Sequence, residues 1–242
     1  MTNDRRAADA DDIRTPPYET KSLRAELTRF FSQRVGLDAD GQTVPLSTMK
    51  MGVYVFYDYD GEPIYVGQSR EKLSGRIGRH LTNQRTDAVA MSVLDPFEVA
   101  EVEVFPVPAF QGRNARDPEA IEYLNKLEAT VYASVLERSK FGAVLNEKVP
   151  ADLGKVPLPP SFRGRIISDE VMAIRSHPDT RIARRAATIA RLAQIVNERQ
   201  VKAGLRQVLV VQSKRLNQLA ERRFGYFAEK VEVGPETDDE DE

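Results

Sequence analysis

Two short runs in this 242-residue chain, Gly52-Val53-Tyr54-Val55-Phe56 and Pro63-Ile64-Tyr65-Val66-Gly67, read as strands separated by Asp58-Tyr59-Asp60-Gly61. An Asp-Gly step between two alternating apolar runs is a strong hairpin signal, so this stretch predicts an antiparallel pair bearing two tyrosines. Downstream, Ile121, Leu124, Leu127, Val131, Tyr132 and Val135 share one arc of a helix at about 100° per residue. Glu128 falls inside that arc. An ionised carboxylate there is costly unless a cation or a set of donors compensates it. A bound metal ion is one such cation. The structural alternative is a buried ion pair, with Arg76 the better partner because Lys126 points the other way on the helix.

A second constellation follows the hairpin. Leu73, Ile77 and Leu81 recur every four residues in Leu-Ser-Gly-Arg-Ile-Gly-Arg-His-Leu and define a buried stripe. Arg76 and His80 are also four apart, so both project from one face beside that stripe, which continues to Asn83. A guanidinium is a planar, permanently charged donor suited to phosphate oxygens. An imidazole can carry a proton near neutral pH. Two tyrosines, an arginine, a histidine and a metal-binding glutamate make a toolkit for hydrolysing a phosphodiester. Each also has a bland reading: tyrosines are common in strands, and helical arginines usually form surface ion pairs.

Gly52-Val53-Tyr54 and Tyr65-Val66-Gly67, with valine at both central positions, resemble the paired signature of GIY-YIG nucleases. Arg76 in the following helix, Glu128 and Asn146 in Ala143-Val144-Leu145-Asn146 fit the same pattern. His80, four residues after Arg76, is similar to the branch that contains type II restriction endonucleases. So is the upstream segment from Leu23 to Phe31. The resemblance spans residues 20 to 150 and is absent from residues 160 to 242. It implies single-step hydrolysis of double-stranded DNA. Tyr54 would hold or deprotonate the attacking water with His80 assisting, and which of them is the base stays open. A tyrosine near its free pKa of about 10 is a poor base at pH 7 and would need Arg76 beside it. Arg76 and Tyr65 would hold the scissile phosphate, Glu128 would bind Mg2+ (or Mn2+), and Asn146 would orient a water or phosphate.

The expected fold class is α/β, a small three-stranded, mainly antiparallel sheet flanked by helices, with a C-terminal helical extension. Residues 1–19 are polar and expected to be disordered, and 20–150 form the nuclease-like domain. The third strand lies within Phe97 to Val107, and Asp117 with Pro118 starts the Glu128 helix. Residues 151–162 read as a proline-rich linker and 163–230 as a basic helical extension of two helices joined at Lys202-Ala203-Gly204. These helices read either as a helix-turn-helix or as an antiparallel hairpin packed on the core or on a second copy. Residues 231–242 read as an acidic disordered tail.

Charge is distributed unevenly. Residues 161–230 hold 15 Lys/Arg against 6 Asp/Glu, while residues 231–242 hold 7 acidic residues and no basic one. A basic block of this size suits nucleic acid. Arg184, Arg185 and Arg191 on the first C-terminal helix are therefore expected DNA contacts, together with Arg79, Arg113 and Arg116 nearer the site. The absence of cysteine excludes disulfides, thiol catalysis and cysteine-ligated zinc. The N-terminus has no apolar core of a secretory signal and no window reaches membrane-spanning length, so a soluble cytoplasmic protein is expected. Cutting both strands of a palindrome would call for two copies on the DNA.

Overall fold

The computed structural model describes residues 18–36, 42–82, 93–146 and 148–232. The N-terminal stretch before Tyr18, Asn83 and the acidic residues after Glu232 lie outside the described residues. Helix α1 spans Tyr18–Phe31, and strands β1 (Arg34–Gly36) and β2 (Thr43–Pro45) form a small ladder of their own. The hairpin strands are β3 (Gly52–Tyr57) and β4 (Pro63–Ser69), followed by α2 (Leu73–Leu81), β5 (Glu101–Pro106) and α3 (Pro118–Arg138). Then come β6 (Phe162–Arg165), α4 (Asp169–Arg175), α5 (Pro178–Glu198) and α6 (Ala203–Glu232). None of the described helices is long and apolar enough to cross a membrane.

The sheet is antiparallel with order β4-β3-β5-β6. Its first three strands are the expected ones. The fourth, β6, pairs Phe162 with Val104 and Arg165 with Glu101. Its sequence, Phe-Arg-Gly-Arg, carries no apolar alternation, because its side chains face half-buried and exposed sites in turn. The residues before it are not a free linker either. Val156 donates its N–H to Thr130 on α3 (3.1 Å), and Ser161 donates to Glu103 on β5 (2.7 Å).

Alternation along β3 divides the core into two. Val53, Val55 and Tyr57 face α3, where Leu124, Leu127, Val131 and Val135 cover them together with Val66 and Phe105. Tyr54 and Phe56 face the other way, beneath Leu23, Leu27 and Phe30 of α1 and Leu73 and Ile77 of α2. This second cluster runs on into Leu192 of α5 and Leu205, Val208 and Val211 of α6. Burying apolar surface at about 25 cal/mol per Å² makes these two layers the main favourable contribution to the fold. The Asp117 side chain caps α3 by accepting from the Ala120 N–H (3.0 Å), with Pro118 in the first turn, as the sequence predicts.

The turn between β3 and β4 is organised by one aspartate. Asp58 Oδ1 accepts the N–H groups of Asp60 (2.8 Å) and Glu62 (3.0 Å), and Gly61 adopts φ +70°. That conformation is cheap only for glycine, which is why the Asp-Gly step was informative. The other oxygen of Asp58 accepts from three guanidinium groups of the C-terminal helices: Arg215 (2.6 Å), Arg185 (3.2 Å) and Arg181 (3.3 Å). Arg185 also pairs with Glu98 (2.7 Å) and donates to the Arg215 carbonyl (3.0 Å). Asp60 takes Arg181 (2.7 Å) and Arg222 (3.1 Å).

These contacts correct the DNA-contacting assignment of Arg184 and Arg185. Arg185 is 3% exposed, and its guanidinium is engaged by Asp58, Glu98 and a carbonyl, so it cannot meet a DNA backbone. Arg184 forks onto Asp95 (2.8 and 3.0 Å) and stacks over the Phe97 ring at 3.7 Å. Of the three, Arg191 alone is exposed without an ion pair among the described residues. The two helices run antiparallel, with Arg223 near the end of α6 paired to Asp179 at the start of α5 (2.7 Å). Arg181, Arg185, Arg215 and Arg222 of the basic block thus share the hairpin carboxylates Asp58 and Asp60, which docks the helices onto the strands that carry Tyr54 and Tyr65.

Candidate active site

Both signature glycines stand where a side chain would not fit. A Cβ on Gly52 would lie 2.5 Å from the Phe105 carbonyl oxygen on the neighbouring strand. A Cβ on Gly67 would lie 2.7 Å from the ring carbon and hydroxyl of Tyr54 and 2.9 Å from the Tyr65 ring. Tyr54 and Gly67 are cross-strand partners, so the Tyr54 ring lies across the bare backbone of Gly67. Close approach, rather than an unusual φ, is what requires glycine at these two places.

Around that ring four expected residues come together. The Tyr54 hydroxyl meets His80 Nδ1 at 3.2 Å. The His80 ring is boxed by Tyr65 (centroids 4.9 Å, edge-on), Phe56 (5.5 Å) and Tyr54 (6.2 Å). Arg76, one turn before His80 on α2, is half-buried; burial works to lower its pKa, but the neighbouring hydroxyls of Tyr54 and Tyr65 and the charge of Glu71 outweigh that and raise it. Tyr54 is fully enclosed (0% exposed) and His80 is buried, whereas Tyr65 and Arg76 reach the boundary with solvent.

On that boundary a groove is lined by Gln68, Ser69, Arg70, Glu71, Arg76, Ala115 and Arg116. Arg116 therefore shares a surface with Arg76, and so does Arg70, which sequence reasoning missed. Neither forms an ion pair among the described residues, so two uncompensated guanidinium groups flank Arg76. Arg79 is paired with Glu71, and Arg113 with Asp117 (3.3 Å) and Glu119 (2.5 Å), so both belong to exposed ion pairs. Such pairs contribute little to stability and present no net charge to a polyanion.

Glu128 lies on α3, against the opposite face of the sheet. It is half-buried: burial raises its carboxyl above the ordinary range, and a hydrogen bond from Gln68 and the charge of Lys148 only partly offset this. The alternative ion pair is not formed. Lys126 pairs with Glu122 (2.6 Å), and Glu128 has no salt-bridge partner among the described residues. Its neighbour is Gln68, whose amide N–H groups reach Glu128 Oε2 (3.0 Å) and Asn125 Oδ1 (2.8 Å). Gln68 also lines the groove, so it connects Glu128 with Arg76 around the end of β4.

Asn146 has a different place from the expected one. Its side-chain oxygen accepts the Val66 N–H (3.0 Å) and its amide donates to the Val66 carbonyl (2.7 Å). Leu145 donates to the Ile64 carbonyl (2.7 Å). The segment thereby pairs with the outer edge of β4, which would otherwise present open backbone groups. Asn146 positions the strand between Tyr65 and Gly67 and reaches water or phosphate with neither of these two bonds.

The donors suit a magnesium ion in one specific sense. No group of three or more His, Cys, Asp or Glu side chains is arranged to hold a metal among the described residues. The half-buried Glu128 carboxylate, which has no salt bridge among the described residues, stands beside a Gln68 Oε1 that is buried and has no hydrogen-bond partner. A hard cation held by one carboxylate and completed by substrate phosphates and water matches that set.

Compared with known protein families, residues 50–123 match the model of the GIY-YIG catalytic domain. The match includes Tyr54, Tyr65, Arg76 and His80 and stops short of Glu128 and Asn146. Such a domain implies an endonuclease fold acting on DNA. No curated protein and no solved structure matches the chain.

Proposed function

We propose that this protein is a Mg2+-dependent DNA endonuclease of the type II restriction kind. The observation that carries the reading is the contact of Tyr54 with His80 and Arg76 beneath a groove whose other arginines, Arg70 and Arg116, have no counter-ions. Two unpaired guanidiniums beside a third are repulsive alone and favourable around phosphates.

In this reading the scissile phosphate lies against Arg76 and the Tyr65 hydroxyl, which oppose the charge that develops on its oxygens. The attacking water enters with the substrate, since the Tyr54 hydroxyl is enclosed. The water oxygen bonds to phosphorus, and its proton passes to the Tyr54–His80 pair. Arg76 favours the phenolate form of Tyr54, and His80 Nδ1 accepts the hydroxyl proton. Cleavage of the P–O3′ bond leaves a 5′-phosphate and a 3′-oxygen that takes a proton from solvent. Glu128 would hold Mg2+, which when bound neutralises charge on the leaving oxygen and a phosphate oxygen. Asn146 acts by fixing β4, and the C-terminal helices act by fixing the turn at Asp58.

The restriction assignment rests on His80 following Arg76 by four residues and on the α1 segment. It also calls for two copies on the duplex when both strands of a palindrome are cut. The test is incubation with phage or plasmid DNA, with and without Mg2+, followed by sequencing of the ends. Discrete double-strand positions that need Mg2+ are expected. Scattered ends would replace restriction by a nuclease of repair or defence without sequence preference. Intact DNA would leave a DNA-binding protein with a nuclease fold.

A further inference from the structure

The amide of Gln68 is used in an unusual way. Register with Val53 turns its side chain toward α3, just past the part of the β4 edge that Asn146 covers. Both of its amide contacts are to acceptors, Asn125 Oδ1 at 2.8 Å and Glu128 Oε2 at 3.0 Å. Reversing the amide would set its oxygen against the Glu128 carboxylate, so the orientation is dictated by chemistry. Its carbonyl oxygen is consequently buried with nothing to accept from. A buried acceptor left unmet is costly to the fold. The neighbouring Glu128 carboxylate has no salt bridge among the described residues, and the charge of Lys148 only partly offsets its burial. Two adjacent oxygen acceptors short of positive charge share one complement, a hard cation.

We propose that Gln68 Oε1 is a second protein ligand of the divalent cation that Glu128 holds, with the Gln68 amide orienting the carboxylate. The inference rests on the metal-dependent reading above. It gives Gln68, which also borders the groove, the task of joining the Glu128 side of β4 to the Arg76 side. Carbonyl and carboxylate oxygens together suit Mg2+ and Mn2+.

The test is Mn2+ binding to the full chain without DNA, read from the free-ion signal by electron paramagnetic resonance. Gln68→Met keeps length without the carbonyl and should weaken Mn2+ binding about tenfold. Gln68→Glu restores an oxygen and adds charge, and should bind Mn2+ more tightly than wild type. A residue that merely positioned Glu128 would make no direct contact with the ion, read as the absence of a carbonyl 13C coupling to bound Mn2+ in protein labelled at glutamine; that absence overturns the proposal, and the coupling is expected. Weaker binding by Gln68→Glu, or an unchanged Kd in Gln68→Met, overturns the proposal. Glu128→Gln separates the two levels. If it abolishes binding while Gln68→Met does not, only the role of Gln68 falls. If wild type shows no saturable Mn2+ binding, or Glu128→Gln binds like wild type, the metal reading of Glu128 falls with it.

Discussion

Replacing Gly67 by alanine should damage catalysis through the tyrosines rather than through the backbone. The new Cβ would lie 2.7 Å from Tyr54 and 2.9 Å from Tyr65. Ordinary contact begins near 3.4 Å, so the Tyr54 ring must retreat by about 0.7 Å. Tyr54 has no space to retreat into, being fully buried beside Phe56 and His80. Overpacking of this kind costs roughly 1–3 kcal/mol of stability. Displacing reacting groups by up to about 1 Å can cost about 10² in rate. Gly78→Ala on α2 is the control, because a Cβ there meets nothing within 4 Å. It should be neutral or stabilising by about 0.5–1 kcal/mol, the usual gain for Gly→Ala in a helix interior. The assay is single-turnover cleavage at saturating enzyme beside urea unfolding of both variants. Gly67→Ala that cleaves and unfolds like Gly78→Ala would refute the packing argument.

Three further outcomes follow from other contacts. Asp58→Asn should destabilise by about 3–5 kcal/mol in urea unfolding, because it removes the charge shared by Arg181, Arg185 and Arg215 in a buried cluster; a loss under 1 kcal/mol would mean the cluster does not dock the helices. Burial works to raise the Asp60 carboxyl, but Arg181 and Arg222 outweigh it and hold the group at about 2 against an ordinary 3.8. Its folded pKa is depressed, so its contribution is complete above about 4 and fades as pH falls toward 2, by about 1 kcal/mol once solvent screening of this exposed group is allowed for; Asp60→Asn should lack this component of acid destabilisation, and parallel stability curves from pH 5 to 2 would contradict it. Asn146→Ala should speed amide exchange at Val66 and lower kcat more than it raises KM; unaltered exchange would show that the β4 edge is held by other means.

What could be read from the sequence was local. The hairpin, the Asp117-Pro118 helix start and the stripe Leu73, Ile77, Leu81 depend on neighbours within a few residues, and each stands as expected. The grouping of Tyr54, Tyr65, Arg76 and His80 was legible because four-residue helical spacing and a motif both specify it. The fourth strand was hidden because Arg163, Gly164 and Arg165 carry no apolar pattern, and its pairing depends on β5, some sixty residues earlier. Net charge misled for a related reason. It counts Arg185 as available, whereas its carboxylates at Asp58 and Glu98 lie 127 and 87 residues away in sequence. Gln68 could have been found: it directly follows Tyr65-Val66-Gly67, and strand alternation from Val66 turns it toward the Glu128 helix. The enclosure of Tyr54 had no signal in the sequence, since it depends on Gly67, Phe56 and His80 together.

The proposed active site depends on Arg76 stabilising charge at the scissile phosphate. The direct measurement is the single-turnover cleavage rate of wild type and Arg76→Ala on one duplex with Mg2+, beside the affinity of each for that duplex. Removing one such electrostatic donor typically costs about 10²–10³ in rate. That loss is expected with affinity reduced less than tenfold, because Arg70 and Arg116 remain in the groove. A wild type that does not cut, or an Arg76→Ala whose rate is unchanged at saturation while its affinity collapses, would contradict the assignment of this cluster as a nuclease active site.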